Sequence, residues 1–181
     1  KSYATVFMQI ANENKKIKIN CVSDSVKGFD AQLEVELMDL NGKKLMSQKK
    51  EITLTAEKNT VTEWNEKDFH IHDSASSYLQ CRLIRMGKTI CESKHFICKA
   101  KNLKLKSCNI QITSLEGNKI KVRSDEFAKD VYLYCEKSDF SFSENYFDLS
   151  PGEEKIIDCS GLGDNISGIK YITLNNIIFK P

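Results

Sequence analysis

A period of two dominates this chain and leaves little room for helices. Ile17, Ile19 and Cys21 alternate with polar neighbours, and Leu33, Val35 and Leu37 alternate with Glu34 and Glu36. The pattern returns at Ile52/Leu54, Leu79/Cys81/Leu83, Ile110/Ile112, Ile120/Val122, Val131/Leu133/Cys135 and Ile172/Leu174. Such short half-apolar runs are what strands show when one face packs on a core and the other meets water. Turn signals separate them: Asn41-Gly42, Met86-Gly87-Lys88, Glu116-Gly117-Asn118 and Ser150-Pro151-Gly152. No stretch sustains a helical period for three turns, and Ser124 to Lys129 offers one turn at most. The expected fold is all-β.

Strands recurring every ~8–12 residues with turns between them indicate sandwiches rather than a parallel α/β sheet. The 181 residues offer about seven strand-like runs over 1–98 and a similar number over 108–181. The expectation is two tandem immunoglobulin-like β-sandwich domains, 1–98 and 108–181, joined by a short linker over 99–107. Within that linker Leu103 and Leu105 share a face. They are expected to wedge between the domains.

Charge and hydropathy remove several functions. Lys and Arg number 27 against 25 Asp and Glu, and the balance is near neutral in both halves. Neither half is basic enough to track a phosphate backbone, so nucleic acid is not an expected partner. The local excess from Lys94 to Lys106 reads as a solvated connector. No apolar run approaches the roughly 18 residues of a membrane-spanning helix, so no membrane partner is expected. The chain starts at Lys1 with no charged and apolar leader pattern, as a mature chain or a piece of a longer one would.

Residues that could carry chemistry are few. Seven cysteines cannot all pair within the chain, and none forms a Cys-x-x-Cys. Buried free thiols are the expected state. A Cys21–Cys81 bridge like that of antibody domains lacks the tryptophan such a core carries on the following strand, since Trp64 lies 43 residues past Cys21. His70-Ile71-His72 places two imidazoles on one side of an extended segment, flanked by Asp68 and Asp73. With no third convergent ligand, a polar loop is the better reading and no metal is expected. Glu34/Glu36 read as neighbours on a solvent face, and Glu153-Glu154 follow a turn; neither pair marks an acid/base couple. No nucleophile elbow, phosphate-cradling loop or cofactor motif occurs, so the expected catalytic residues and cofactors are none. Aromatics able to stack on sugar are Trp64, Phe69, Tyr78 and Tyr132/Tyr134, with Trp64 and Tyr78 the speculative sugar-binding pair. Asn165-Ile166-Ser167 matches a glycosylation acceptor.

Two segments are more specific. Ser124-Asp125-Glu126-Phe127-Ala128-Lys129-Asp130-Val131-Tyr132-Leu133 is followed by Phe142-Ser143-Glu144-Asn145-Tyr146-Phe147-Asp148-Leu149-Ser150-Pro151-Gly152-Glu153-Glu154-Lys155. Together they resemble the C-terminal Ig-like domain of β-mannosidases of glycoside hydrolase family 2, with Tyr146, Phe147 and Leu149 supplying packing. Residues 31–43 resemble the Ig/carbohydrate-module-like domain that precedes it, and Tyr171 to Phe179 resembles the closing strand and tail. The resemblance implies a longer parent enzyme that hydrolyses terminal β-mannosyl residues with retention. Its two catalytic glutamates would lie in a TIM-barrel domain and match nothing here. The implied role is to brace or cover that barrel, the partner being the barrel itself and, second, mannose-containing glycans. The runners-up are a pair of carbohydrate-binding modules and a fragment of an Ig-like surface adhesin. Such relatives are often periplasmic or secreted in bacteria, whereas free thiols suit a cytoplasm.

Overall fold

The computed structural model describes residues 6–25, 27–55, 60–136, 140–161 and 168–178. The Asn165 acceptor triplet lies outside the described residues. The chain divides into two compact units, one of residues 1–39 and 43–103, the other of 104–181 with 40–42. Both are all-β sandwiches.

The first unit contains β1 (Val6–Glu13), β2 (Lys16–Ser23), β3 (Phe29–Asp39), β4 (Lys44–Leu54), β5 (Thr60–Asn65), β6 (Ser77–Arg85) and β7 (Lys88–Phe96). They form an antiparallel three-stranded sheet ordered β1-β2-β5 and a four-stranded sheet ordered β4-β3-β6-β7. The alternating apolar positions meet in one core: Ile17, Ile19 and Cys21 with Leu33, Val35, Leu37, Leu79, Cys81 and Leu83. Each of these is at most 2% exposed. Met86 and Gly87 join β6 to β7 with φ of 49° and 74°. A two-residue hairpin with both centres left-handed has the twist that suits adjacent strands, and Gly87 carries that φ without strain.

The second unit holds β8 (Ile110–Leu115), β9 (Lys119–Ser124), β10 (Ala128–Cys135), β11 (Ser141–Phe142), β12 (Phe147–Leu149), β13 (Glu154–Ser160), β14 (Ile169–Ile172) and the short helix α1 (Leu174–Ile178). One sheet runs β11-β13-β9-β8 and the other β12-β10-β14. Ile120, Val122, Val131, Leu133, Leu149 and Ile157 fill its core. In the segment expected as a connector, Ala100–Asn102 form a single 3-10 turn, and Leu103 and Leu105 are buried.

The ending departs from the strand expected through Ile172 and Leu174, and Phe179 lies outside the described residues. β14 stops at Ile172, and Thr173 caps a helical turn, its Oγ1 accepting the Asn176 N–H at 3.2 Å. A threonine oxygen that satisfies an orphan N–H starts a helix where an apolar alternation would continue a strand.

The segment that resembles the mannosidase domain is the wiring of this unit. β10 bulges between Ala128 and Val131, and Asp130 adopts a φ of 53°. The carboxylate of Asp148 accepts the Asp130 N–H at 2.9 Å and the Lys129 ammonium at 3.1 Å, which closes the bulge. Burial lowers the Lys129 pKa, but the charges of Asp148 and Asp130 and their hydrogen bonds outweigh it and hold the ammonium above its ordinary value. Asn145 acts as a strand neighbour for Leu133, accepting its N–H at 2.7 Å and donating to its carbonyl at 3.1 Å. Pro151 and Gly152 occupy the centre of a turn closed by Glu153 N–H donating to the Ser150 carbonyl at 3.0 Å, with Gly152 at φ 76°. The fully buried Asn175 of α1 spends its whole amide: Nδ2 donates to the Lys106 and Phe127 carbonyls at 2.6 and 2.7 Å, and Oδ1 accepts the Lys129 N–H at 2.9 Å.

Asn175→Ala therefore strands three backbone groups at once. At about 1 kcal/mol or more for each buried group left unpaired, the variant loses about 3 kcal/mol. A urea unfolding curve reads this as a lower midpoint for the second unit with unchanged β-sheet circular dichroism before the transition.

Candidate functional site

The two glutamates read as solvent-face neighbours are buried instead. Glu34 is 6% and Glu36 3% exposed, although both point away from the core on β3. Their strand lies between β4 and β6, and the stems of long side chains from both neighbours cover that outer face. Arg82 on β6 reaches both carboxylates through Nη2, contacting Glu34 at 3.1 Å and also Glu36. Lys49 pairs with Glu34 at 3.0 Å and Lys44 with Glu36 at 2.7 Å. Burial pushes the Glu34 carboxyl up, but the Lys49 hydrogen bond and the charges of Arg82, Lys49 and Lys44 outweigh it and leave it below its ordinary value. A catalytic acid needs a carboxyl held above that range, whereas this one is kept ionised by cations on both sides. The arrangement is an ion-pair network. Glu153 and Glu154 are engaged as well: Glu153 accepts the Ser150 N–H at 2.9 Å, and Glu154 pairs with Lys121 at 3.3 Å.

The speculative aromatic pair does not form a platform. Tyr78 is fully buried, with its ring 5.7 Å from that of Phe96, so no face is open to a sugar. Trp64 packs against the first core from β5, where Thr62 and Trp64 take the inward positions of the alternation. Phe69 is buried in the same core. Two aromatics are strongly exposed among the described residues, Phe7 at 64% in the first unit and Tyr146 in the second. Tyr146, expected to supply packing, is 69% exposed and stacks on Tyr132 at 5.0 Å, and Tyr132 lies 6.0 Å from Tyr134.

His70 and His72 do come together. Asn65 and Asp68 build a capped 3-10 turn, Glu66–Phe69, after which His70 takes a left-handed conformation. Phe69 and Ile71 pack on the core, so the intervening histidines turn outward. Both line a cavity of about 310 Å³ with Asp73, and its floor includes Leu37, Met46 and Phe69. Among the described residues no group of three or more His, Cys, Asp or Glu side chains is placed to hold a metal ion.

All seven cysteines carry free thiols. Cys21 and Cys81 lie in the first core, and burial, reinforced by nearby Cys91, pushes the Cys21 thiol up to about 11. Such a thiol behaves as a small apolar side chain.

The two sandwiches match known domain families over most of the chain. The mannosidase Ig/CBM-like domain matches residues 15–102, and an Ig-fold domain of mannosidases matches 103–177. The chain belongs to these mannosidase domain families. It is similar to the β-D-mannosidase of Dictyoglomus thermophilum with a TM-score of 0.73 and 19% identity, over 95% of this chain and 22% of the other. The exo-chitosanase CsxA of Amycolatopsis orientalis is similar with a TM-score of 0.52 and 12% identity, over 84% of this chain and 23% of the other. At these identities the likeness is one of fold, and the chain spans about a fifth of the length of those enzymes. No curated protein sequence matches it.

Arg82→Ala leaves two neighbouring buried carboxylates without their shared cation. Removing one partner of a buried ion pair costs several kcal/mol, so with Lys44 and Lys49 still present we expect a loss of about 3 kcal/mol at neutral pH. A carboxyl held low when folded contributes stability above its unfolded pKa that is lost as pH falls through the folded value. In the variant that contribution shrinks, so its deficit, read from urea midpoints, narrows as the pH drops below about 5. A deficit that stays constant with pH would assign Arg82 a packing role only.

Proposed function

We propose that these two sandwiches are the non-catalytic C-terminal portion of a β-mannosidase-like glycoside hydrolase, bracing or covering a TIM-barrel catalytic domain of the same parent chain. The observation that carries this reading is the succession of the two mannosidase domain families, end to end, over residues 15–177. The fold likeness supports it: domains of this kind make up 22% of a β-D-mannosidase chain. The geometry of the acidic side chains agrees, because Glu34, Glu36, Glu153 and Glu154 are all committed to cations or backbone. On this reading the parent cleaves terminal β-mannosyl residues with retention, using carboxylates supplied by the barrel. A bacterial periplasmic or secreted location goes with it, and the free thiols favour the cytoplasm as the alternative.

An antibody raised against this chain tests the reading on source-cell extract. The expected outcome is a band several times larger than 20.7 kDa that co-purifies with hydrolysis of an aryl β-mannoside, while the 181-residue chain releases nothing. A native band near 20.7 kDa, or hydrolysis by the 181 residues alone, overturns it.

A further inference from the structure

The cavity beside His70 and His72 has the chemistry of a small-ligand site, and it lies entirely within the first unit. Its walls come from the ends of β3 and β4, the segment after the Glu66–Phe69 turn, and the start of β6. Met46, half-buried, and Leu45, 49% exposed, are the apolar lining a ligand can reach, backed by the buried Leu37 and Phe69. The remaining lining is polar: the two histidines with Asp39, Asp73, Ser76 and Ser77.

The rim is fixed before any ligand arrives. Asp73 Oδ1 accepts the Ala75 N–H at 3.0 Å, and its Oδ2 accepts the Ser76 hydroxyl at 2.7 Å. Ser77 donates to the Asp73 carbonyl at 2.7 Å. Across the cavity, Asp39 and Lys43 exchange backbone and side-chain hydrogen bonds of 2.9 and 2.8 Å that hold the hairpin. None of these contacts uses an imidazole. His70 and His72 are exposed; the His70 backbone N–H donates to the Lys67 carbonyl at 3.2 Å, but neither imidazole has a hydrogen-bond partner among the described residues, so the ring nitrogens are open to whatever enters.

The lining selects a ligand class by exclusion. It holds no lysine or arginine, and two aspartates would repel a phosphate or carboxylate. A metal ion lacks a converging ligand set among the described residues. A wholly apolar molecule would desolvate six polar rim residues without repaying them. An organic cation would find the Asp39 and Asp73 carboxylates already accepting backbone and hydroxyl hydrogen bonds. What fits is uncharged, bears hydroxyls around its edge and has an apolar face, at a size of one ring or two, since small-molecule pockets begin at about 300 Å³. We infer that this cavity binds a hexopyranose, its C–H face on Leu45 and Met46 and its hydroxyls on His70 and His72. The site is separate from the bracing role proposed above and can fail without it.

Methyl β-D-mannopyranoside and methyl β-D-glucopyranoside, titrated separately into the 15N-labelled 181-residue chain, test this by amide shifts. Saturable shifts with either glycoside, confined to residues 37–46 and 69–77, are the expected result. His70→Ala combined with His72→Ala should weaken that binding about tenfold or more with an unchanged thermal midpoint, because neither imidazole holds the fold together. Leu45→Lys, which brings a charged chain to the lining from an exposed position, should weaken it as well. Tyr146→Ala should leave it unchanged. Absence of saturation at about 100 mM, enough to fill even a weak millimolar site, overturns the inference. So do shifts centred on Tyr132 and Tyr146, or binding that survives loss of both histidines. Since neither the size nor the activity of the native gene product enters this titration, its failure leaves the accessory-domain reading standing.

Discussion

The first unit depends on placing β3 and β6 side by side at the centre of a four-stranded sheet. Their inner faces, Leu33, Val35 and Leu37 beside Leu79, Cys81 and Leu83, carry the core. At ~25 cal/mol for each Å² of apolar surface removed from water, that row drives the sandwich together. Central placement has a second effect on the opposite face. A central strand is flanked on both sides, so its outer residues are covered by neighbouring stems even where no second sheet lies over them. Glu34 and Glu36 fall at those positions, and their burial is tolerable only because Arg82 lies opposite Glu34 in register and Lys44 and Lys49 reach across from β4. The ion-pair network follows from strand order.

The same reasoning divides what was legible in the sequence from what was not. Inward positions follow from period-two alternation, which needs only neighbours in the chain, and the expected strands at Ile17–Cys21, Leu33–Leu37, Leu79–Leu83 and Val131–Cys135 all form. Outward positions do not. Whether Glu34 or Tyr78 is exposed depends on which strand is central and what lies against it, and that is settled by long-range pairing. Tyr78 sits on the outward side of β6 and is nevertheless fully buried. Tyr146, in a motif read as packing, turns out to solvent because its φ of 59° breaks the alternation just before β12. His70 and His72 were visible as a pair, but their cavity needs the β3–β4 hairpin end and Asp73, which are adjacent only in the fold. The closing helix was hidden because Ile172 and Leu174 keep the strand spacing while Thr173 supplies a cap between them.

The segment of the second unit on which the resemblance rests is occupied in holding backbone rather than in chemistry. Lys129, Asp130, Asn145 and Asp148 form a bulge, a substitute strand contact and the bonds that hold them, and Asn175 ties that bulge to the rest of its unit. Buried polar contacts of this kind specify one arrangement of irregular backbone, because each partner left unpaired in another arrangement costs its desolvation. Residues so constrained resist replacement for structural reasons alone. The resemblance to mannosidase domains is therefore evidence about architecture, and chemistry has to be argued from groups that the architecture leaves unspent.

By that criterion the two units differ. In the second, the polar side chains around the bulge are consumed in holding backbone, and what stands free is a stack of tyrosine rings. In the first, Glu34 and Glu36 are paired by Arg82, Lys44 and Lys49 on the outer sheet face, and the imidazoles of His70 and His72 stand unbonded at the cavity. Leaving two imidazoles unbonded over a rigid rim gains the fold nothing, since Phe69 and Ile71 already anchor the segment. A domain whose stability is met by its core and its ion pairs is free to vary such a rim, and a rim built of hydrogen-bonding groups over carbon is suited to recognising sugar without cleaving it.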